Sequence, residues 1–285
     1  EKGDNHDEGV DMEFSVGFSE DDGEPGWTEY TDDETGKAFS VNTKEILGMG
    51  GNGSVLKGTW DGTGEALAVK IIPCSSIDVL QSQLLEVKTL QSLQHPNIIQ
   101  YKACMVLEDE LNIVMALEYA DYGSLETLTE AKYPPSEREL TNYIADALRA
   151  LGFVHSSGIV HRDVKPSNLL VCGAENGVKR RVCKLTDFGT AISIDVLQTQ
   201  NDCHGTPSFM APEMFVGEVG FFSDIWAIGV TAAYCIMKRV PYDDDLVAQP
   251  MKLMFAIVEG ERPQIPEEGP EKLLSMIAKS VNEIP

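Results

Sequence analysis

Three glycines in the first quarter of the chain have the spacing of a phosphate-binding loop. Gly48, Gly50 and Gly53 follow the pattern G-x-G-x-x-G between two predicted strands. Without Cβ atoms, such a hairpin can lie close over phosphate groups with its amides facing them. The next predicted element, residues 66–72, is a strand and not a helix, which disfavours a dinucleotide-binding fold. The spacing therefore favours a loop that covers the phosphates of a nucleotide.

Lys70 lies inside this predicted strand, among alanine, valine and isoleucine residues. A buried lysine is costly unless an anion pairs with it. A helix predicted over 77–93 has Glu86 as its only acid after Asp78, so Glu86 is the natural partner of Lys70. The alternatives are an edge-strand lysine whose ammonium group reaches water and a plain surface carboxylate. The glycine loop upstream favours a lysine that holds nucleotide phosphates.

Three further motifs follow in order. They are His161-Arg162-Asp163-Val164-Lys165-Pro166-Ser167-Asn168, Asp187-Phe188-Gly189 and Ala211-Pro212-Glu213. Together with the glycine loop and Lys70, they resemble the signature of eukaryotic protein kinases over residues 44–285. Any one of these motifs could arise by chance, but their common order and intervals could not reasonably do so.

The resemblance implies a bilobal α+β fold. A small N-lobe, an antiparallel sheet with one helix, would span 44–119, and a mainly helical C-lobe would span 120–285, with the nucleotide between them. Within the C-lobe, apolar periodicity predicts a helix over 136–155 that Ser136 and Glu139 open as a capping box.

The resemblance also implies roles for the polar residues of the motifs. Asp163 would accept the proton of the substrate hydroxyl, and Lys165 would touch the transferred phosphate. Thr206 would form hydrogen bonds with both residues. Asp187 and Asn168 would each coordinate a Mg²⁺ ion through oxygen.

By the same resemblance, ATP with Mg²⁺ is the cofactor. Lys70, oriented by Glu86, would hold the α- and β-phosphates, and residues 117–120 resemble the hinge that binds adenine through its backbone. Leu117 would be the gatekeeper, with Met115 as the alternative. The residues implied in nucleotide binding are Gly48, Gly50, Gly53, Val55, Ala68, Lys70, Leu117, Glu118, Ala120 and Leu170.

The implied function is transfer of the γ-phosphoryl group of Mg-ATP to serine or threonine hydroxyls of protein substrates in signalling. Lys165 and the stretch 205–210 favour serine/threonine specificity, although dual-specificity kinases share both features. The amino-acid sequences of these motifs are most similar to those of the kinases of MAP-kinase cascades. The alternatives are a nucleotide-binding pseudokinase or scaffold, and an interaction protein that acts through its N-terminal region.

Arg162 precedes the catalytic aspartate, and kinases of this type usually need an activation-segment phosphate to neutralise that arginine. The family's commonest phosphorylated position corresponds here to Asp202. A carboxylate there would be a permanent but weaker counterpart of Arg162, so phosphorylation would not be strictly required for basal activity. The alternative is that Asp202 is a solvated acid and Thr199 is the phosphorylated switch.

The N-terminal region differs from the rest of the chain in charge. Residues 1–36 hold 14 acids and one base, and residues 1–24 have too few apolar side chains to fold, so we predict an acidic disordered tail. Residues 25–43 resemble the first two strands of a WW module without its third strand, so we expect a degenerate WW-like hairpin, an unrelated hairpin or a linker there. A basic or a proline-rich partner could bind this region.

Composition excludes other classes. With 46 acids against 22 bases and a net charge of −24, the chain is a poor candidate for binding nucleic acid or anionic membranes. The six cysteines form no C-x-x-C pair, which argues against a disulfide framework or a zinc site and favours the cytoplasm or the nucleus. The family's last helix, whose arginine pairs with Glu213, is not found before Pro285. We therefore expect a truncated chain in which Glu213 lacks that partner.

Overall fold

The computed structural model describes residues 26–32, 35–50, 53–173, 180–197 and 204–282, so the predicted acidic tail lies outside the described residues. The first half of the described chain is an antiparallel sheet with one helix against it. Its elements are β1 (Trp27–Thr31), β2 (Ala38–Gly50), β3 (Gly53–Trp60), β4 (Ala66–Pro73), α1 (Ile77–Ser92), β5 (Tyr101–Leu107) and β6 (Asn112–Glu118). The strand order β1-β2-β3-β4-β6-β5 places β4 in the interior of the sheet.

The alternation of side chains along β4 decides where Lys70 points. Leu67, Val69 and Ile71 face an apolar core of the sheet itself. Successive residues of a strand point to opposite faces, so Lys70 shares the other face with Ala68. That face packs toward α1 and the C-terminal half of the molecule. The predicted nucleotide lysine is therefore on the inner side of the sheet.

The helix α1 begins at a capped residue and presents one apolar face. The Ser76 side chain accepts a hydrogen bond from the Val79 amide at 3.3 Å, which caps the first turn. Leu80, Val87 and Leu90 are buried against the main core. The helix predicted over 77–93 is confirmed to within one residue.

The second half is mainly helical around the long helix α5. Its elements are α2 (Leu125–Glu130), α3 (Glu137–Ser156), β7 (Ile159–Val160), β8 (Leu169–Cys172), β9 (Val182–Leu185), β10 (Ile192–Ser193), α4 (Ile194–Leu197), α5 (Phe221–Met237), α6 (Asp244–Val247), α7 (Pro250–Val258) and α8 (Glu271–Asn282), with short 3₁₀ turns between them. Both hydrogen bonds of the predicted capping box are present, between Ser136 and Glu139. Among the described helices, none is long and apolar enough to span a bilayer. The bilobal α+β kinase fold is confirmed.

The predicted boundary between residues 43 and 44 is wrong, because it falls inside one strand. β2 runs unbroken from the N-terminal hairpin into the glycine-rich loop and pairs with both β1 and β3. Tyr30 and Phe39 of the hairpin are buried in the same core as Val69. The hairpin is therefore an edge of the N-lobe sheet. The strand after the glycine-rich loop, β3, pairs with the hairpin strand β2, which the sequence did not predict.

Asp32, directly after β1, connects the two edges of this sheet. Its side chain is only 2% exposed. One carboxylate oxygen accepts the Thr35 amide at 2.9 Å, and the other accepts the Cys104 amide of β5 at 3.1 Å. An edge amide that is partly shielded from water needs a partner, and Asp32 supplies one to Cys104.

We predict that Asp32→Ala destabilises the protein by about 1–3 kcal/mol, since it leaves the Cys104 amide without its acceptor. Urea unfolding, followed by tryptophan fluorescence, measures the change. Asp61→Ala is the matched control, because Asp61 accepts a hydrogen bond from Ser40 on an exposed part of the same sheet. Equal midpoints for the two variants would contradict the role of Asp32.

Candidate active site

A buried carboxylate fixes the loop that carries the catalytic motif. Asp224, in the first turn of α5, is fully buried. Its Oδ1 accepts the Arg162 amide at 2.9 Å, and its Oδ2 accepts the His161 amide at 2.9 Å. His155 Nε2, near the end of α3, lies 2.7 Å from the same Oδ2. These contacts hold Arg162 at a φ of 69°, a left-handed conformation that non-glycine residues rarely adopt.

The next residue, Asp163, is held by three of the residues that the sequence predicts around it. Thr206 donates to Oδ1 from its amide at 3.0 Å and from its hydroxyl at 2.8 Å. Oδ2 accepts from Asn168 Nδ2 at 3.0 Å and lies 2.8 Å from Lys165 Nζ. The carboxylate therefore has a fixed orientation and a cation beside it.

Lys165 and Asn168 make second contacts that close this network. Lys165 Nζ donates to Thr206 Oγ1 at 2.8 Å. Asn168 Nδ2 also donates to the backbone oxygen of Asp163 at 2.8 Å. Since Nδ2 is engaged twice, the amide oxygen of Asn168 is the atom left for a ligand.

Asp187 joins the C-lobe motif to the N-lobe lysine. Its Oδ1 lies 2.9 Å from Lys70 Nζ, and its backbone φ is 63°. Burial, the largest single effect, raises the pKa of Asp187, but Lys70 together with His161 and Lys165 outweighs it and leaves the pKa below its ordinary value. Asp187 is thus an ionised carboxylate inside the cleft.

The residue after Asp187 is anchored by packing. Phe188 is buried, and its ring lies edge-on to the His161 ring with 4.9 Å between centroids. His161 Nε2 donates to the Thr186 carbonyl at 3.0 Å. The two motifs therefore hold each other in place.

The side chain of Glu86 lies outside the described residues, so its pairing with Lys70 stays a prediction.

The glycine-rich hairpin has the predicted shape. Gly50 and Gly53 are opposite each other where β2 turns into β3. At Gly53, with a φ of 118°, a Cβ would lie 2.1 Å from the Ile71 carbonyl oxygen, so no other residue fits. A Cβ at Gly48 would meet no atom beyond its chain neighbours within 4 Å, so local packing does not require glycine there. The advantage of glycine at this position is that its backbone can come closer to a ligand.

The apolar residues that the sequence predicts around adenine come from both lobes. Ala68, Ala120 and Leu170 are half-buried and pack against the main core. Leu117, beside the hinge, pairs with Ala68 in the sheet, whereas Met115 pairs with Lys70. Val55, on β3, is the other register partner of Lys70. The nucleotide roles of these residues remain predictions.

The Glu118 carboxylate has a structural role that the sequence did not reveal. It is 8% exposed, and its Oε2 accepts the Gln100 amide at 3.0 Å. Its Oε1 forms an ion pair with Lys184 of β9. These contacts tie the hinge to both lobes, so Glu118 could reach adenine only through its backbone. Neither Gln100 nor Lys184 belongs to a sequence motif from which its contact with Glu118 could have been predicted.

The regulatory predictions are only partly within the described residues. Arg162 is buried, and its Nε donates to the Thr190 carbonyl of the activation segment, while the Thr190 hydroxyl donates to the His161 carbonyl at 2.9 Å. Asp202 and Thr199 lie outside the described residues. Their relation to Arg162 stays a prediction.

Glu213, for which the sequence predicts no arginine partner, has a hydrogen-bond partner of another kind. Glu213 is half-buried, and its Oε1 accepts a hydrogen bond from Ser223 Oγ at 2.9 Å. Ser223 lies one residue before Asp224 on α5, so the helix that anchors the catalytic loop also holds the Ala-Pro-Glu motif.

Comparison with known proteins agrees with this geometry. The family model described as protein kinase domain matches residues 41–284. A Dictyostelium discoideum protein named "Probable serine/threonine-protein kinase" is 36% identical over 245 residues, which are 85% of this chain and 47% of that protein. Cell division control protein 7 of Schizosaccharomyces pombe is 33% identical over 86% of this chain and 22% of its own length. MAP3K epsilon protein kinase 1 of Arabidopsis thaliana is 32% identical over 81% of this chain and 17% of its own length.

The chain thus spans less than half the length of these relatives. Its match to the family model nevertheless covers both lobes and every motif of the site. The chain therefore belongs to the protein kinase family.

Proposed function

We propose that this chain transfers the γ-phosphoryl group of Mg-ATP to serine or threonine hydroxyls of protein substrates. The observation that carries the proposal is the orientation of the Asp163 carboxylate by Thr206, Asn168 and Lys165. Phosphoryl transfer requires positioning and charge neutralisation more than covalent participation by the protein. A fixed carboxylate with a neighbouring cation supplies both.

The contacts of Asp163 suggest an order of events. Its two oxygens receive three hydrogen bonds and one ammonium contact, which fill the acceptor sites of a carboxylate. When Lys165 turns from Oδ2 to the transferred phosphate, one acceptor site becomes free. A substrate hydroxyl can then donate to Oδ2, which orients the nucleophile and receives its proton.

The donor set of the cleft fits Mg²⁺. Asp187 is an ionised carboxylate, and Asn168 has its amide oxygen left for a ligand. Nucleotide-bound Mg²⁺ takes one or two protein oxygens, with phosphate and water as its other ligands. A bound Mg²⁺ would neutralise phosphate charge, and Lys70 would add a second positive charge on the sheet side.

Serine/threonine specificity is supported by the Lys165–Thr206 contact and by the names of the similar proteins. The name of the Arabidopsis relative supports a place in a MAP-kinase cascade. Five cysteines in the described chain are free thiols, which supports a cytoplasmic or nuclear location. Dual specificity is the second candidate, because it uses the same residues.

We predict that Asp163→Asn lowers kcat for phosphorylation of a serine/threonine peptide pool by about 100-fold or more, because the general base is lost. ATP binding, measured by calorimetry, should persist. Asp109→Asn, an exposed acid in the turn between β5 and β6, is the matched control. Wild-type protein that binds Mg-ATP and transfers no phosphate would contradict the proposal and favour a pseudokinase.

We also predict that Thr206→Val lowers kcat about 10- to 100-fold, while Thr206→Ser stays within a few-fold of wild type. Valine keeps the shape of threonine but removes the hydroxyl that donates to Asp163 and accepts from Lys165. Steady-state kinetics with the same peptides measures both variants. Equal losses for valine and serine would show that the hydroxyl is not what matters.

A further inference from the structure

An exposed lysine on the cleft face of the sheet connects the glycine-rich hairpin to the hinge. Lys57 lies on β3, four residues after Gly53, and pairs in register with Ala68. Its Nζ lies 5.6 Å from the centroid of the Tyr119 ring, at the residue that follows β6. The same Nζ lies 2.8 Å from Glu45 Oε1 on β2. Both strands of the hairpin therefore meet the hinge through one cation.

An irregularity in β2 brings Glu45 to this position. The register of β2 against β3 shifts between Asn42 and Ile46, where Asn42 faces Lys57 and Ile46 faces Leu56. Extra residues on one strand bend it and re-aim its side chains. Glu45 lies in these extra residues, beside Lys57. The ion pair is thus built into the strand geometry.

We propose that Lys57, Glu45 and Tyr119 form a latch that holds the glycine-rich hairpin over the bound nucleotide and so sets the affinity for ATP. This inference rests on the proposed ATP-dependent function. A contact that restrains the strands β2 and β3 before binding lowers the entropy cost of ordering them against the ligand. Lys57 is then a positioning residue, which acts through the hairpin.

The latch differs from an ordinary surface ion pair by its aromatic partner. An exposed Lys–Glu pair alone contributes little. A cation within about 6 Å of a ring face adds an attraction that corresponds to a few-fold change in an equilibrium constant. The hydrogen bond from Lys57 to Glu45 raises the pKa of Lys57, so the cation persists at neutral pH. Lys102 and Glu65 make an ion pair of the same 2.8 Å length on the same sheet and serve as the matched control.

The experiment measures the dissociation constant of Mg-ATP by calorimetry, and kcat and KM for ATP, in purified variants. Lys57→Met should raise the dissociation constant and KM about three- to fivefold with kcat nearly unchanged. Lys57→Arg should restore wild-type values, because arginine keeps both the ion pair and the ring contact. Lys102→Met, which removes the Lys102–Glu65 ion pair, should leave ATP affinity unchanged.

A wild-type dissociation constant in Lys57→Met would overturn the latch, as would an equal shift in Lys102→Met or a failure of arginine to rescue. In these outcomes wild-type protein still binds ATP, so the latch fails alone. Wild-type protein that binds no ATP would overturn the latch and the proposed function together. Thermal unfolding of each variant shows whether a shift arises from lost stability.

Discussion

The site depends on the buried carboxylate of Asp224. Its two oxygens accept consecutive backbone amides, those of His161 and Arg162, which keeps Arg162 in a left-handed conformation. Such a conformation costs of order 1–3 kcal/mol, and hydrogen bonds to a buried charged acceptor can offset that amount. Because Asp163 follows directly, a helix of the C-lobe core sets the direction of the catalytic carboxylate.

From this anchor, polar contacts extend along the floor of the cleft. Asp163 reaches Thr206 and so fixes the segment before the Ala-Pro-Glu motif, whose Glu213 is held by the same helix α5. His161 packs on Phe188 and so fixes the segment that presents Asp187. The Asp187–Lys70 ion pair then reaches the sheet of the N-lobe. The predicted catalytic groups therefore sit on the C-lobe, and the N-lobe contributes a lysine whose position follows from strand alternation.

Residues that the sequence groups together in one C-lobe motif also contact one another in the structure, because each motif is short. Asp163, Lys165 and Asn168 lie within six residues, and their mutual bonds follow from that proximity. Sequence reasoning missed contacts whose partner residue belongs to no motif. The partner of Glu213 is Ser223, and the Glu118 carboxylate pairs with Lys184, 66 residues away. No alternation pattern or capping signal indicates such pairs.

The N-lobe boundary failed for a related reason. The N-terminal hairpin differs from the kinase motifs in charge and glycine content. Hydrogen bonding between strands does not depend on that change in composition, so β2 continues across the predicted boundary. Asp32 then ties one sheet edge to Cys104 at the other, and Glu45 uses the β2 irregularity to reach Lys57. Contacts made by residues outside any motif therefore shape the first strands of the sheet. In the proposed latch, these strands would contribute to nucleotide affinity together with the motif residues of the C-lobe.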